Sequence, residues 1–303
     1  YGTGSPVCMT FVRHGIIPET GRNVPKTVVR SIPYGYNYNR TKIKGYGGAM
    51  KIGFFDSGVG GISVLKEALK HLPDEDYIYY ADTANVPYGV KSKEMVKQHV
   101  CDSVDFICRQ GIKALVVACN TATSIAVGDL RKNFNFPIIG MEPAVKPAVE
   151  KCRDKKVLVA ATPLTLKEEK YRNLVSRLDC RHMVDALPLP ELVEYAENFI
   201  FDHEMIVPYL KKKLIDYDVE EYGTVVLGCT HFIFFKKAFK AIFSEDTSII
   251  DGNAGTVKHL KKILEKNGLS GGTGSGKISF CSSGLTEGDG SRYVRYMEYL
   301  DRE

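Results

Sequence analysis

No stretch of the 303-residue chain approaches the run of about 18 apolar residues that a membrane-spanning helix needs, so a membrane partner is not expected. None of the eight cysteines (8, 101, 108, 119, 152, 180, 229 and 281) forms a C-x-x-C pair or stands at finger-like spacing from histidine. That pattern offers neither a structural zinc site nor a disulfide framework, and it suits a reducing cytoplasm. The bulk of the chain also lacks surplus charge. Of the net +5, residues 1–49 carry seven basic groups (Arg13, Arg22, Lys26, Arg30, Arg40, Lys42, Lys44) against Glu19 alone, while the remainder holds 34 basic and 35 acidic groups. Nucleic acid is therefore not an expected partner of the remainder. The extension is read as a leader, upstream translation or loosely ordered tail outside the catalytic core. Its second reading is a basic surface-binding arm, because Tyr34, Tyr36 and Tyr38 interleave with Arg and Lys.

What is present is a globular composition, 44% hydrophobic and 25% charged. From Met50 onward short apolar runs, at 51–56, 77–81, 114–118, 137–140, 157–161, 182–187, 224–228, 247–250 and 277–281, alternate with amphipathic stretches. The clearest of these are 92–110 (Val96, Val100, Val104, Ile107) and 256–266 (Val257, Leu260, Leu264). Strands apolar throughout and alternating with helices predict an α/β protein with mainly parallel sheets flanked by helices. The chain also echoes itself: VVACNTAT (116–123) and VVLGCTHF (225–232) each set a cysteine directly after a valine-rich strand, with FFDSG (54–58) upstream of the first and VAATPLT (159–165) upstream of the second. Ligands of open α/β sheets gather at the carboxyl ends of strands, so all four segments could line one cleft.

A lone buried cysteine is as often a space-filler as a reagent. Cys119 beside Asn120 and Thr121, and Cys229 beside Thr230 and His231, have donors that can tune a thiol and, in His231, a group that exchanges protons with it. The other six cysteines have no such company. The turn DSGVGG (56–61), with Asp56 and Ser57, resembles an anion-binding strand-to-helix loop, against the plainer reading of a capped tight turn. Residues 271–277 (GGTGSGK) satisfy G-x-x-x-x-G-K, but Ile278 replaces the magnesium-binding hydroxyl and the segment leads from helix to strand, so it is read as a flexible connection. Cys229 and His231 alone do not make a metal site. Asp82 and Glu197 look, by themselves, like caps or solvated carboxylates.

The strings FFDSGVGG, YYADTANVPYG, VVACNTATS and VVLGCTHF, in this order, resemble the glutamate racemases over residues 50–303. The resemblance implies two similar α/β domains with the active site in the cleft between them: residues 50–147 plus 256–303, and residues 148–255. It implies cofactor-independent interconversion of L-glutamate and D-glutamate, supplying peptidoglycan synthesis in the cytoplasm, with no metal; a homodimer is an admissible assembly. Cys119 and Cys229 would be the two acid/bases, with Cys229 facing L-glutamate. Asp56 would assist Cys119, and His231 and Glu197 would assist Cys229. Ser57, Tyr88, Gly89, Asn120, Thr121, Thr162, Thr165 and Thr230, with Asp56 and His231, would hold the substrate, and Asp82 would lie near it. Two departures are the extension and Ile233, where a proline is usual. The alternatives are an aspartate racemase or a related decarboxylase or isomerase, a non-catalytic binder of acidic metabolites, and a thiol redox enzyme, which the lack of C-x-x-C disfavours.

Overall fold

The structure, a computed structural model, describes residues 7–12, 15–16, 50–142, 144–151, 154–178, 183–271, 274–284 and 290–302. Most of the basic extension, with all its Arg and Lys residues and Tyr34, Tyr36 and Tyr38, lies outside these residues, as do Cys152 and Cys180. The strands are β1 (Val7–Val12), β2 (Gly15–Ile16), β3 (Lys51–Asp56), β4 (Tyr77–Ala81), β5 (Ile112–Val117), β6 (Ile138–Gly140), β7 (Lys156–Ala161), β8 (Val184–Pro188), β9 (Tyr222–Leu227), β10 (Ser248–Asp251) and β11 (Ile278–Ser282). They form two sheets, ordered β2-β1-β11-β4-β3-β5-β6 and β10-β9-β7-β8. Apart from the antiparallel β1 and β2, every pairing is parallel.

The unbroken apolar strands follow from burial on both faces. Ile52, Phe54, Tyr77, Tyr79, Ala114 and Val116 pack with Val64, Leu65 and Ala68 of the helix Ile62–His71 and with Tyr293 and Tyr296 of the C-terminal helix Gly290–Arg302. The alternate residues Phe55, Ile78, Tyr80, Leu115 and Val117 pack with Val100 and Val104 of the helix Lys93–Cys108 and Val127 and Leu130 of the helix Asn120–Asn133. A period of two with both phases apolar is the signature of a covered parallel sheet. Lys113 in β5 keeps its charge inside by pairing with Glu75 at 2.6 Å and donating to Leu269 O at 2.8 Å.

The echo in the sequence corresponds to a repeat in the topology. Four strands of the first sheet run β4-β3-β5-β6, and the second sheet runs β8-β7-β9-β10 in the same relative order. Each central pair, β3 with β5 and β7 with β9, has a register break one residue into the strand, at Lys51/Ile52 and Lys156/Val157. The connection containing residues 271–277 joins the helix Asn253–Lys266 to β11. It is held at its end, because Ser275 N and Lys277 N both donate to Asp76 Oδ1, at 2.9 and 3.0 Å; Gly272 and Thr273 lie outside the described residues.

Among its described residues the extension departs from expectation. Val7–Val12 pairs antiparallel with β11, and Cys8 stands opposite Cys281 and forms a disulfide with it. This corrects the reading of the cysteines, which expected no disulfide and no role for either residue. The partners are 273 residues apart and meet only because β1 docks on the strand that re-enters the sheet last, a relation that local spacing does not encode.

A bond closing so long a loop contributes roughly 2–4 kcal/mol. Reductant is therefore expected to lower the melting temperature of the full chain by several degrees, and to leave unchanged that of a chain begun at Met50, which keeps β11 paired with β4 and keeps its activity. Thermal melts of both chains with and without dithiothreitol, beside an activity assay, check this.

Candidate active site

The loops after β3, β5, β7 and β9 meet where the two sheets turn their carboxyl ends toward each other. Thr230 Oγ1 donates to Asp56 Oδ2 at 3.1 Å, and Val59 N donates to Glu197 Oε1 at 2.7 Å. The hydroxyl of Thr121 lies 2.9 Å from those of both Thr162 and Thr165, which are themselves 2.9 Å apart. All of these except the Thr162–Thr165 contact join the first sheet's loops to the second's. The glycines of DSGVGG are there for this approach: a Cβ on Gly58 would lie 1.8 Å from Glu197 Oε1, and one on Gly60 would lie 2.4 Å from Thr230 Oγ1. The loop does receive an anion on a backbone N–H, and that anion is the protein's own Glu197. Asp56 also serves the plainer reading of this turn, since its Oδ1 accepts Gly58 N at 2.9 Å.

Around the first thiol, Cys119 occupies the N-cap of the helix Asn120–Asn133. Its sulfur accepts Ala122 N at 3.5 Å and donates to Ser57 Oγ at 3.6 Å. Burial, followed by the negative charge of Asp56, pushes this thiol up to about 12, and Cys229 adds a smaller push in the same direction. Asp56 is fully buried; desolvation raises its pKa to about 6, although His231 and the Gly58 N–H pull the other way.

Around the second thiol, Cys229 Sγ is 3.8 Å from His231 Nδ1, and His231 Nε2 is 2.7 Å from Glu197 Oε1. Burial, the largest influence on His231, lowers its pKa, but hydrogen bonds and charge from Cys229 and Glu197 together outweigh it and hold the imidazole well above the usual histidine value. The imidazole beside Cys229 and the Cys119 thiol of the other sheet thus both hold their protons more tightly than free side chains do.

Tyr88 and Gly89 are the buried residues of a 3-10 turn, Tyr88–Val90, against the same loops. A Cβ on Gly89 would meet Thr162 at 2.5 Å, and Tyr88 OH donates to Asp82 Oδ2. Asp82, itself buried, also accepts Asn85 Nδ2 at 3.0 Å, so it holds Tyr88 from behind. The buried Asn120 Oδ1 has no partner among the described residues. Glu197, which its neighbours alone made a cap or solvated carboxylate and which the resemblance set with His231, is sunk between His231 and Arg292, whose Nη2 donates to Glu197 Oε2 at 2.8 Å. Sequence reading singled out neither Arg292 nor Tyr79, which donates to Gly58 O at 2.6 Å. Both carry ordinary helix and strand patterns and reach the site only through tertiary packing. Among the described residues no group of three His, Cys, Asp or Glu side chains forms a metal-ligand set, and no helix is long and apolar enough to cross a membrane.

A family model described as Asp/Glu/Hydantoin racemase matches residues 57–260. A glutamate racemase of Halothermothrix orenii is 60% identical over 252 residues, covering 83% of this chain and 99% of that protein. Glutamate racemase 2 of Bacillus subtilis is 57% identical over 258 residues, covering 83% and 97%. Among solved structures, a glutamate racemase isoform from Bacillus anthracis aligns with a TM-score of 0.73 at 30% identity, over 82% of this chain and 94% of that one. The glutamate racemase of Francisella tularensis, solved in complex with D-glutamate, aligns with a TM-score of 0.71 at 26% identity over the same shares. A family match across two thirds of the chain and this level of identity over nearly the whole of the relatives leave one assignment: the chain belongs to the Asp/Glu/hydantoin racemase family, and within it to the glutamate racemases.

Proposed function

We propose that the protein interconverts L-glutamate and D-glutamate through two thiols, Cys119 and Cys229, one on each face of the substrate's α-carbon, and that in the cytoplasm this supplies D-glutamate for peptidoglycan. The observation that carries the reading is the pairing of corresponding cysteines at corresponding strand ends, each backed by its own acid/base group: Asp56 near Cys119, and His231 with Glu197 at Cys229. Removing a weakly acidic α-proton from one face and returning a proton to the other needs two bases flanking one carbon. In the direction that uses Cys229 as base, its thiolate takes the α-proton and Cys119 Sγ–H delivers one to the opposite face; the reverse direction exchanges these roles. His231 and Asp56 then restore the starting protonation. Cys229 is assigned the face of L-glutamate.

The substrate's amino group suits Asn120 Oδ1, a buried acceptor that lacks a donor. Its carboxylates suit the hydroxyls of Thr121, Thr162 and Thr165, which satisfy one another until an anion displaces them, with Thr230 and the backbone near Ser57 and Gly89. Hydrogen-bond donors aimed at the α-carboxylate in a buried site are the available means of stabilising carbanion character.

Either Cys119→Ser or Cys229→Ser is expected to abolish racemisation in both directions, while one-sided elimination from a glutamate analogue survives with opposite enantiomer preference in the two variants. Solvent deuterium incorporation at Cα and a polarimetric assay check this, and full racemisation by either serine variant would end the two-base reading.

Neutral donors select by geometry. A substrate one methylene shorter leaves part of the distal set unpaired, at about 1–3 kcal/mol per group, or roughly ten- to a hundredfold. Comparison of kcat/KM is expected to favour L-glutamate strongly over L-aspartate, with glutamine poor; aspartate equal to glutamate would move the assignment to an aspartate racemase.

A carboxyl that ionises near pH 6 in the folded chain and near 3.8 in the unfolded one binds more protons when folded, so its contribution to stability falls as pH rises through that window. The loss amounts to about 3 kcal/mol above pH 6. Asp56→Asn removes the penalty: relative to the parent, the variant is expected to gain stability progressively from pH 4 to 6 and to keep the gain at pH 7, while activity drops on the order of a hundredfold or more. Urea melts across pH 4–8 with parallel rate measurements test both halves.

A further inference from the structure

The relay at Cys229 does not end at Glu197. The helix Glu191–Glu197 ends against the C-terminal helix Gly290–Arg302, two residues of which grip its last turn and a third the residue just beyond it. Arg292 Nη2 donates to Glu197 Oε2 at 2.8 Å and to Glu197 O at 2.7 Å. Tyr296 OH donates to Ala196 O at 2.6 Å and to Glu197 O at 3.1 Å. The Arg295 guanidinium lies 3.7 Å from the ring centroid of Phe199, whose φ of 57° turns the chain away directly after the helix. The two Glu197 oxygens are thus divided: Oε2 faces Arg292, and Oε1 faces His231 Nε2 and Val59 N, both at 2.7 Å. A carboxylate otherwise rotates about its last torsion, and only a partner on each oxygen fixes its plane.

We propose that Arg292 is a positioning residue for racemisation: by holding Oε2 it keeps Oε1 on His231, and through that contact sets the imidazole against Cys229. The assignment rests on the two-thiol reading above. It goes beyond capping of a helix terminus, which the bond to Glu197 O alone would accomplish. Among the described residues, the charged and titratable groups that act on Glu197 or His231 are Arg292 and Tyr296 from the C-terminal helix, Asp56 from the end of β3, Tyr79 from β4 and Cys229 from the end of β9, with Tyr293 beside Arg292 and Cys119 beside Asp56. Among these Arg292 is the one fixed cation, so its removal takes a positive charge from the pair and favours protonated forms nearby.

The test uses the full chain with Arg292→Gln, which keeps an amide donor for Glu197 O but no charge, and Arg292→Lys, which keeps the charge. For the glutamine variant kcat is expected to fall about ten- to a hundredfold in both directions, with KM within about twofold of the parent and the kcat–pH profile moved to higher pH. Lysine is expected to restore the profile but to leave kcat a few-fold below the parent, because a point charge replaces the planar fork. A glutamine variant with an unmoved profile, or one whose loss tracks a lowered melting temperature and is not recovered by lysine, would reduce Arg292 to a structural cap. Should the glutamine variant not fold, lysine carries the test: an unmoved profile with kcat a few-fold lower is expected, and either a parental kcat or a moved profile overturns the proposal. Cys229→Ser, assayed alongside, separates the two ideas: if it racemises, the two-thiol reading falls, and if it is dead while the Arg292 variants behave as the parent, only the role of Arg292 falls.

Discussion

One carboxylate ties the two sheets together at the carboxyl ends of their strands. Glu197 takes a backbone N–H from the loop after β3, the imidazole from the segment after β9, and a guanidinium from the last helix of the chain. Three stretches far apart in sequence have to be in place before these bonds exist. A buried carboxylate without partners would be costly, whereas one with three donors is satisfied and rigid. Gly58 is the steric counterpart, since the nearest Glu197 oxygen occupies the space of its missing side chain. The glycine-rich turn and the acid therefore specify each other, and the position of His231 follows from both.

The site is built against the grain of stability. Asp56 and Cys119 are fully enclosed, and burial raises the proton affinity of both. An acid that ionises reluctantly in the fold weakens the fold at neutral pH, and such penalties concentrate at functional sites because the chemistry needs the group there. Much of what offsets them lies behind the site: apolar strands covered on both faces, and the aromatic packing of Tyr79, Phe280 and Tyr293, with Phe280 and Tyr293 stacked at 5.1 Å.

The α/β architecture was legible because its cause is local. Strands such as 77–81 and 157–161 are buried on both faces and so are apolar in both phases, and their boundaries differ from expectation by no more than two residues. The repeated cysteine strings corresponded to repeated strand order for the same reason, since like sequence fills like positions in the two sheets. Glu197 could not be read from its neighbours, as its helix looks amphipathic and ordinary. Its partners Val59, His231 and Arg292 stand 138, 34 and 95 residues away. The Cys8–Cys281 bond was hidden in the same way, in a register between the first strand and the last.

The two thiols have unlike surroundings, a carboxyl and a hydroxyl at Cys119 and an imidazole at Cys229. On the proposed two-thiol mechanism the forward and reverse barriers for bound substrate therefore need not be equal. The substrates, however, are mirror images, with identical free energies in water, so the overall equilibrium constant is one whatever the protein does. Any difference in turnover between the two enantiomers must be matched by an equal ratio of their Michaelis constants. In an active site without mirror symmetry, kinetic asymmetry can thus appear only in how each enantiomer is held, never in where the reaction stops.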